Sequence, residues 1–123
     1  MKNIYALLTA TVVLFASCSK RDYYPGNTDP DEYIRNRERG VVAYVDNYTG
    51  NYIVDTYRGF AVVESWGGIS PREYDEQYAY FSNRGLQTIY NYSGNYFSEG
   101  RIAESWLTWS DALYVIDELS YQH

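Results

Sequence analysis

Alternating apolar and polar residues dominate the chain from residue 40 onward. Short runs rich in β-branched and aromatic side chains are separated by glycine- and asparagine-containing turns, which is typical of strands joined by tight hairpins. The predicted strands are 41–45, 52–57, 60–66, 86–92 and 101–107. Because tight turns join strands that run in opposite directions, we expect antiparallel pairing.

A helical period replaces this alternation after residue 107. The segment 108–111, Thr-Trp-Ser-Asp, resembles a capping box, and polar Asp117 and Glu118 lie on the face opposite the apolar residues. The apolar face consists of Trp109, Ala112, Leu113 and Ile116. The sequence therefore predicts a C-terminal helix over residues 109–119.

The segment between residues 70 and 85 is ambiguous. Its start, Ser70 to Glu73, resembles a capping box with proline at the first helical position, whereas the apolar run 78–81 before Asn83 is typical of a strand entering a turn. We predict a short helical turn over 71–75 followed by a strand, and helix or strand stays open for 71–82.

Two motifs recur in the same order along the chain. A near-identical hexapeptide and the tripeptide Glu-Ser-Trp each occur twice, which predicts two degenerate copies, about 40–84 and 85–120. The matched segments are 47–52 with 91–96, and 64–66 with 104–106. Two copies are too few for a solenoid, so we predict one small mostly β (α+β) domain over 40–123. Its fold would be an antiparallel sheet or sandwich with a C-terminal helix.

An apolar leader occupies residues 1–17 and ends in small residues before the only cysteine, Cys18. Lys2 precedes its apolar run, which would extend only about 20 Å as a helix, whereas a bilayer core is about 30 Å thick. These features are typical of a secretory signal peptide and not of a lasting membrane anchor.

The last residues of the leader form a recognisable short motif before Cys18. Leu-Phe-Ala-Ser before Cys18 resembles the lipobox of bacterial lipoproteins. The resemblance implies that Cys18 is fatty-acylated, for example with palmitate, and becomes the new N-terminus. Ser19, directly after the cysteine, resembles the residue found at this position in lipoproteins that are sorted to the outer membrane. We therefore expect a lipid-anchored protein of the bacterial cell envelope.

The segment 18–39 is polar and turn-rich, and it predicts a flexible tether between the lipid and the domain. Its acidic residues Asp29, Asp31 and Glu32 lack the spacing of a calcium loop, so we interpret them as solvated charges.

Composition excludes several classes of function. Removal of residues 1–17 takes Lys2 away and moves the net charge from -6 to -7, which disfavours a nucleic-acid partner. His123 is the only histidine and Lys20 the last lysine. Together with an acylated cysteine, this leaves no internal group for histidine, thiol or Schiff-base catalysis, and we expect no metal site and no cofactor.

Carboxylates beside tryptophans are the remaining route to chemistry. Glu64 with Trp66, and Glu104 with Trp106, alternate along their predicted strands. Such pairs could be glycosidase carboxylates, part of a sugar- or peptide-binding surface, or ordinary strand glutamates with inward-facing tryptophans. We favour a protein without catalytic activity, and a carboxylate-based hydrolase stays as an alternative.

Tyrosine is abundant, with 16 residues in the chain. The tyrosines that flank the two hexapeptide turns suit either a half-buried sheet or a recognition surface. They are Tyr48, Tyr52, Tyr92 and Tyr96. An accessory lipoprotein that binds a glycan or peptide predicts one exposed aromatic patch. A structural, inhibitory or assembly lipoprotein that contacts another envelope protein predicts buried tryptophans and a flat or edge-strand contact surface.

Overall fold

The computed structural model describes residues 29–121. Two helices and six strands follow one another along this part of the chain. They are α1 (Pro30–Asn36), β1 (Glu38–Val45), β2 (Tyr52–Thr56), β3 (Gly59–Gly67), β4 (Glu76–Ala79), β5 (Gly85–Asn91), β6 (Tyr96–Leu107) and α2 (Trp109–Tyr121). The predicted signal peptide, Cys18 and the first part of the predicted tether lie outside the described residues.

The strands form a closed antiparallel barrel in the order β1-β2-β3-β6-β5-β4. Pairing of β1 with β4, from Glu38 opposite Ala79 to Val41 opposite Glu76, completes the ring. Because consecutive strands alternate in direction, the β1–β2, β3–β4 and β5–β6 loops share one end, which we name the upper end. The β2–β3 and β4–β5 loops and the end of β6 share the other, the lower end. The predicted small, mostly β fold with a C-terminal helix is confirmed.

The barrel interior changes in character from bottom to top. Aliphatic and aromatic side chains fill its lower and middle layers, because alternate residues of every strand point inward. This cluster comprises Val42, Val54, Ala61, Val63, Ala79, Phe81, Ile89 and Ile102, with Tyr52 above them. Polar Asn51, Gln77, Asn91 and Ser98 are also buried. Asn51, Asn91 and Ser98 lie where their strands meet the upper loops, so that end of the interior is polar.

Helix α2 packs against the outer wall of the barrel. Its buried residues Ala112, Ile116 and Leu119 follow the helical period and cover Ile53 and Val62. The Thr108 hydroxyl accepts a hydrogen bond from the Asp111 amide at 3.2 Å, as an N-cap does. The predicted helix is thus present and extends two residues further, to Tyr121. Within residues 29–121, neither helix is long and apolar enough to cross a bilayer.

The tether prediction is wrong over residues 29–39, which form α1 and the start of β1. Asp29 caps α1 by accepting from the Asp31 amide, and Pro30 occupies the first turn. Tyr33 is buried against the barrel wall beside Tyr78 and Tyr90. Because one aromatic side chain inserts into this wall cluster, a mostly polar segment folds onto the barrel.

Residues 71–75 form a turn instead of the predicted helical turn, and the following strand is β4 (Glu76–Ala79). The Asp75 amide donates to the Arg72 carbonyl at 3.1 Å, and Tyr74 has a φ of 76°. A left-handed residue cannot continue a right-handed helix, so the chain turns here into β4.

The two sequence copies have different strand content. In the first copy, the hexapeptide turn joins β1 to β2, and Glu-Ser-Trp ends the next strand, β3. In the second copy, the hexapeptide turn joins β5 to β6, and Glu-Ser-Trp ends β6 itself. The shorter spacing in the second copy therefore corresponds to one continuous strand in place of a hairpin.

Candidate functional site

Three loops meet at the upper end of the barrel, and the β3–β4 segment contacts both of the others. A side chain on Gly50 in the β1–β2 loop would contact Ser70 of the β3–β4 loop, with Cβ 3.5 Å from the hydroxyl oxygen. The β5–β6 loop meets the β3–β4 segment through the Ser93 hydroxyl, which accepts from the Glu76 amide at 2.8 Å. The loops of both sequence copies therefore form one continuous surface.

Both hexapeptide turns are fixed by side-chain hydrogen bonds. Asp46 accepts from the Tyr48 amide at 3.0 Å and from the Thr49 hydroxyl at 2.9 Å. In the second turn, Asn91 Oδ1 accepts from the Gly94 amide at 2.8 Å. Short polar side chains of this kind replace water as partners of turn amides. The turns thus hold their exposed aromatic residues on an ordered backbone.

Asp75 joins the β3–β4 loop to the barrel interior. Its Oδ2 accepts from the Arg72 amide at 3.0 Å and from Asn91 Nδ2 at 2.9 Å. The same Asn91 nitrogen lies 3.1 Å from the Tyr96 hydroxyl, to which it donates. One carboxylate, one amide and one phenol therefore form a connected polar group at the mouth of the barrel.

A cleft of about 310 Å³ opens directly above this group. Its walls combine a carboxylate, a guanidinium group, two hydroxyl-bearing serines, a phenol and one exposed aliphatic side chain. The lining residues are Ile69, Ser70, Arg72, Asp75, Ser93, Gly94 and Tyr96. Barrel mouths are common ligand sites, and this one presents hydrogen-bond donors and acceptors side by side.

The buried polar side chains beneath the upper loops, which we name the polar floor, are incompletely satisfied. Gln77 Nε2 lies 3.4 Å from the Tyr52 hydroxyl, while Gln77 Oε1 and Asn51 Nδ2 have no hydrogen-bond partner among the described residues. Burial raises the pKa of Tyr52, and burial together with the Asp75 carboxylate raises the pKa of Tyr96. Both phenols therefore remain protonated donors at neutral pH.

Exposed aromatic and aliphatic side chains surround the upper end. Tyr48 is 91% exposed and Trp66 is 60% exposed. The others at this end are Ile69, Tyr74 and Tyr92. Trp66 is the unpaired residue of a bulge in the β3–β6 ladder, between Ser65 opposite Gly100 and Gly67 opposite Glu99. The bulge re-aims its side chain away from the regular alternation.

Five of the predicted site residues lie at this end of the barrel: Tyr48, Tyr52, Trp66, Tyr92 and Tyr96. Tyr52 does not reach the surface, since it is 2% exposed and belongs to the interior. It directly follows the buried Asn51 as the first residue of β2, and its side chain points inward. Tyr96 is half-buried and contributes to the cleft wall.

The other predicted residues lie elsewhere, and the expectation of a single aromatic patch is wrong. Trp106 is 61% exposed at the lower end, because β3 and β6 are antiparallel neighbours and their final residues lie at opposite ends of the barrel. Buried tryptophans, expected for a protein-contact module, are not observed either, since Trp109 is also exposed.

The two glutamates are each paired with an arginine on the barrel wall. Arg101 Nε donates to Glu64 at 2.9 Å, and Arg84 forms an ion pair with Glu104. Neither carboxylate lines the cleft at the upper end. Both glutamates are therefore explained as partners in ion pairs on the barrel wall.

Sequence reasoning missed the residues that build the cleft and its floor. Arg72 and Asp75 lie in the segment predicted as a helical turn, and their roles depend on the loop's tertiary position. Gln77 and Asn91 gave only a weak signal, because polar Glu76 and Gln87 occur in the same two strands. Such residues mark either an outward face or a polar interior layer, and only strand pairing distinguishes the two.

Among residues 29–121, no group of three or more histidine, cysteine, aspartate or glutamate side chains is arranged to hold a metal ion. No protein-family model, curated protein or solved structure matches the chain.

Proposed function

We propose that this protein is an envelope-anchored, non-catalytic lipoprotein whose barrel binds carbohydrate at its upper end. The observation that supports this proposal is the cleft of about 310 Å³ with a polar floor and exposed aromatic side chains nearby. Sugars present apolar ring faces and closely spaced hydroxyl groups. Aromatic side chains offer stacking surfaces for the former, and side chains that both donate and accept offer partners for the latter.

The polar groups of the cleft suit a neutral, hydroxyl-rich ligand. Asp75 is an acceptor held by two hydrogen bonds, and Arg72 next to it supplies donors. Ser70 and Ser93 contribute hydroxyls that can both donate and accept. Since the chain's own backbone positions Asp75, binding would require little reorganisation of this wall.

A closed barrel favours a glycan over an extended peptide at this site. Peptides commonly bind by adding a strand to a free sheet edge, and all six strands here have two neighbours. The upper end instead offers side chains and loop backbone. A peptide could contact these groups, but it would lack the main-chain ladder that usually supplies its affinity.

The envelope address in this proposal depends on residues 1–18, where the signal sequence and Cys18 resemble those of bacterial lipoproteins. Labelling of the full-length protein in a bacterial host with a radioactive or clickable fatty acid tests it. We expect membrane-associated label that is absent from Cys18→Ser. Unlabelled, soluble wild-type protein would contradict the lipid anchor.

A glycan array probed with residues 19–123, referred to here as the leaderless chain, tests the binding function. We expect binding to one structural class of neutral oligosaccharide, followed by at least tenfold weaker affinity in Trp66→Ala or Asp75→Asn. Tyr121→Ala is the matched control, since it removes an exposed tyrosine at the end of α2. Absence of any array signal, or equal loss in the control, would refute carbohydrate binding at this cleft.

A second function, contact with another envelope protein, is favoured by a groove between α2 and the β1–β2 hairpin. The groove measures about 510 Å³ and includes Tyr44, Tyr48, Leu113 and Tyr114. These residue types contribute strongly to protein interfaces when buried. Crosslinking in the bacterial envelope from position 114 would test it: one specific crosslinked protein that is lost in Leu113→Asp supports this function, and its absence favours the carbohydrate site alone.

A further inference from the structure

A second exposed cluster of aromatic residues lies at the lower end, around an arginine. Tyr57 and Arg58 form the tight β2–β3 turn, and Trp106 is near the end of β6. Arg58 Nε donates to the Tyr57 hydroxyl at 2.8 Å. The guanidinium carbon lies 5.1 Å from the centroid of the Tyr57 ring and 5.2 Å from that of Trp106. We name these three residues the lower cluster.

Arg58 forms no ion pair within the described chain. Four other arginines in the described chain form ion pairs with glutamates: Arg37, Arg39, Arg84 and Arg101. Among residues 29–121, Arg58 has no carboxylate within ion-pair distance, and of its side-chain nitrogens only Nε donates a hydrogen bond. Its two terminal nitrogens thus present a planar fork of N–H groups, the geometry that binds a carboxylate through two parallel hydrogen bonds.

Trp106 is held in a strained backbone conformation. Its φ of 61° is left-handed, and it lies in a bulge where Ser105 and Trp106 of β6 face the single residue Ala61 of β3. A non-glycine residue in this region costs about 1–2 kcal/mol. Burial does not explain the choice of tryptophan, because the side chain is 61% exposed. The bulge instead directs a large flat ring toward Arg58.

We propose that the lower cluster binds a carboxylate carried on a sugar ring, as in a glycan that contains uronic acids. Arg58 holds the carboxylate, and the open ring of Trp106 stacks against the sugar. Tyr57 is 79% exposed, so both aromatic side chains are open platforms. Anchor residues for proteins are usually enclosed in desolvated pockets, which makes an acidic peptide the less suitable occupant. This site is separate from the cleft at the upper end.

Binding of trigalacturonate to the leaderless chain tests the proposal, with the fully methyl-esterified trisaccharide as the matched ligand. Isothermal titration calorimetry measures affinity, and the indole N–H signals of the three tryptophans locate the ligand by NMR. We expect the acid to bind at least tenfold more tightly than the ester, to weaken as salt rises, and to shift the Trp106 signal.

Three variants separate the parts of the site. Arg58→Gln removes the charge and should reduce affinity for trigalacturonate at least tenfold. Arg58→Lys keeps the charge but lacks the planar fork, so its affinity should lie between those of the wild type and Arg58→Gln. Trp106→Gly removes the ring where glycine suits the backbone and should reduce affinity at least fivefold. Arg35→Gln, an exposed arginine on α1, is the control and should bind normally.

Several outcomes would overturn the assignment. Equal affinity for acid and ester, or wild-type affinity in Arg58→Gln, would remove the carboxylate from the lower cluster. Tighter binding of pentaglutamate than of trigalacturonate, lost in Arg58→Gln, would assign the cluster to acidic peptides. Loss of trigalacturonate binding in Trp66→Ala would move the acid to the upper end, whereas failure of neutral glycans to bind leaves the result at the lower cluster unaffected.

Discussion

The two ends of the barrel differ in how their polar groups are satisfied. At the lower end, Gln87 fixes the β4–β5 loop by donating to the carbonyls of Tyr80 and Asn83 and accepting from the Tyr80 amide. At the upper end, buried Gln77 and Asn51 each retain an atom with no partner among the described residues. The lower loop is therefore closed by satisfied hydrogen bonds, whereas the upper interior encloses two polar atoms that the described chain leaves without a partner.

The two ends of the barrel also give one tripeptide two different environments. Glu-Ser-Trp ends β3 at the upper end and β6 at the lower end, because these neighbouring strands are antiparallel. Trp66 and Trp106 are equally exposed and each lies in a bulge, but only Trp106 has a left-handed backbone and an arginine over its ring. The antiparallel ladder therefore places the two copies of the tripeptide at opposite ends of the barrel.

The largest expected effect is the difference in the free energy of unfolding between a variant in the apolar lower interior and one in the polar upper interior. Phe81→Ala removes a fully buried ring from the barrel core and should lower the free energy of unfolding by about 3–5 kcal/mol. Tyr52→Phe removes a hydroxyl 3.4 Å from the buried Gln77 Nε2 and should cost about 1–2 kcal/mol, because that nitrogen loses its partner. Urea unfolding measures both. Equal losses would contradict the layered interior.

Glycine substitution at the two tryptophans sharpens the comparison of the bulges. Trp106→Gly relieves a left-handed non-glycine residue, whereas Trp66 has no such strain. We expect Trp106→Gly to be more stable than Trp66→Gly by about 1 kcal/mol. Thermal and urea unfolding of the two single variants provide the measurement. The reverse order would show that Trp106 is retained for packing.

Alkaline pH should weaken the upper end of the interior, where the pKa values of two phenols are raised. The pKa of Tyr52 and the pKa of Tyr96 are raised, foremost by burial, so the folded state keeps these protons at a pH where the unfolded chain, with a pKa near 10, loses them. Their contribution is complete well below pH 10 and declines as pH rises above it, by about 1 kcal/mol between pH 10 and 11 for the fully buried Tyr52.

Urea unfolding between pH 8 and 11 tests this decline. The double variant Tyr52→Phe/Tyr96→Phe should show a flatter dependence of the free energy of unfolding on pH than the wild type. An unchanged slope would mean that neither phenol remains protonated in the folded state above pH 10.

The smallest effects concern the ion pairs on the wall. Arg84 and Glu104 are more exposed than Arg101 and Glu64, with side chains 66% and 39% accessible against 41% and 16%. Double-mutant cycles should therefore give less than about 0.5 kcal/mol for the lower pair and up to about 1 kcal/mol for the Arg101 pair. Larger coupling for Arg84 with Glu104 would indicate a structural role for them at the lower end.

Local patterns predicted the strands and the C-terminal helix, because alternation and helical period reflect burial on one face. They could not predict closure, which depends on β1 pairing with β4 and on bulges at Trp66 and Trp106. Helix α1 was also inaccessible to local reasoning, since a seven-residue helix is stabilised by Tyr33 packing against distant strands.

The candidate site was predictable only in part. The hexapeptide turns identified exposed Tyr48 and Tyr92, but the same pattern included buried Tyr52. The β3–β4 loop brings Asp75 to Asn91 and Arg72 to Asp75, and no spacing in the sequence indicates either contact.

The most direct test of carbohydrate binding at the upper end is an NMR titration of the leaderless chain with the best neutral oligosaccharide from the glycan array. Backbone amides of Gly94 and Ile69 report on the cleft, and the indole N–H signals distinguish Trp66 from Trp106. The account predicts shifts at Gly94, Ile69 and Trp66 with the Trp106 signal unchanged. Saturable shifts confined to Trp106, or to the face of α2, would contradict it.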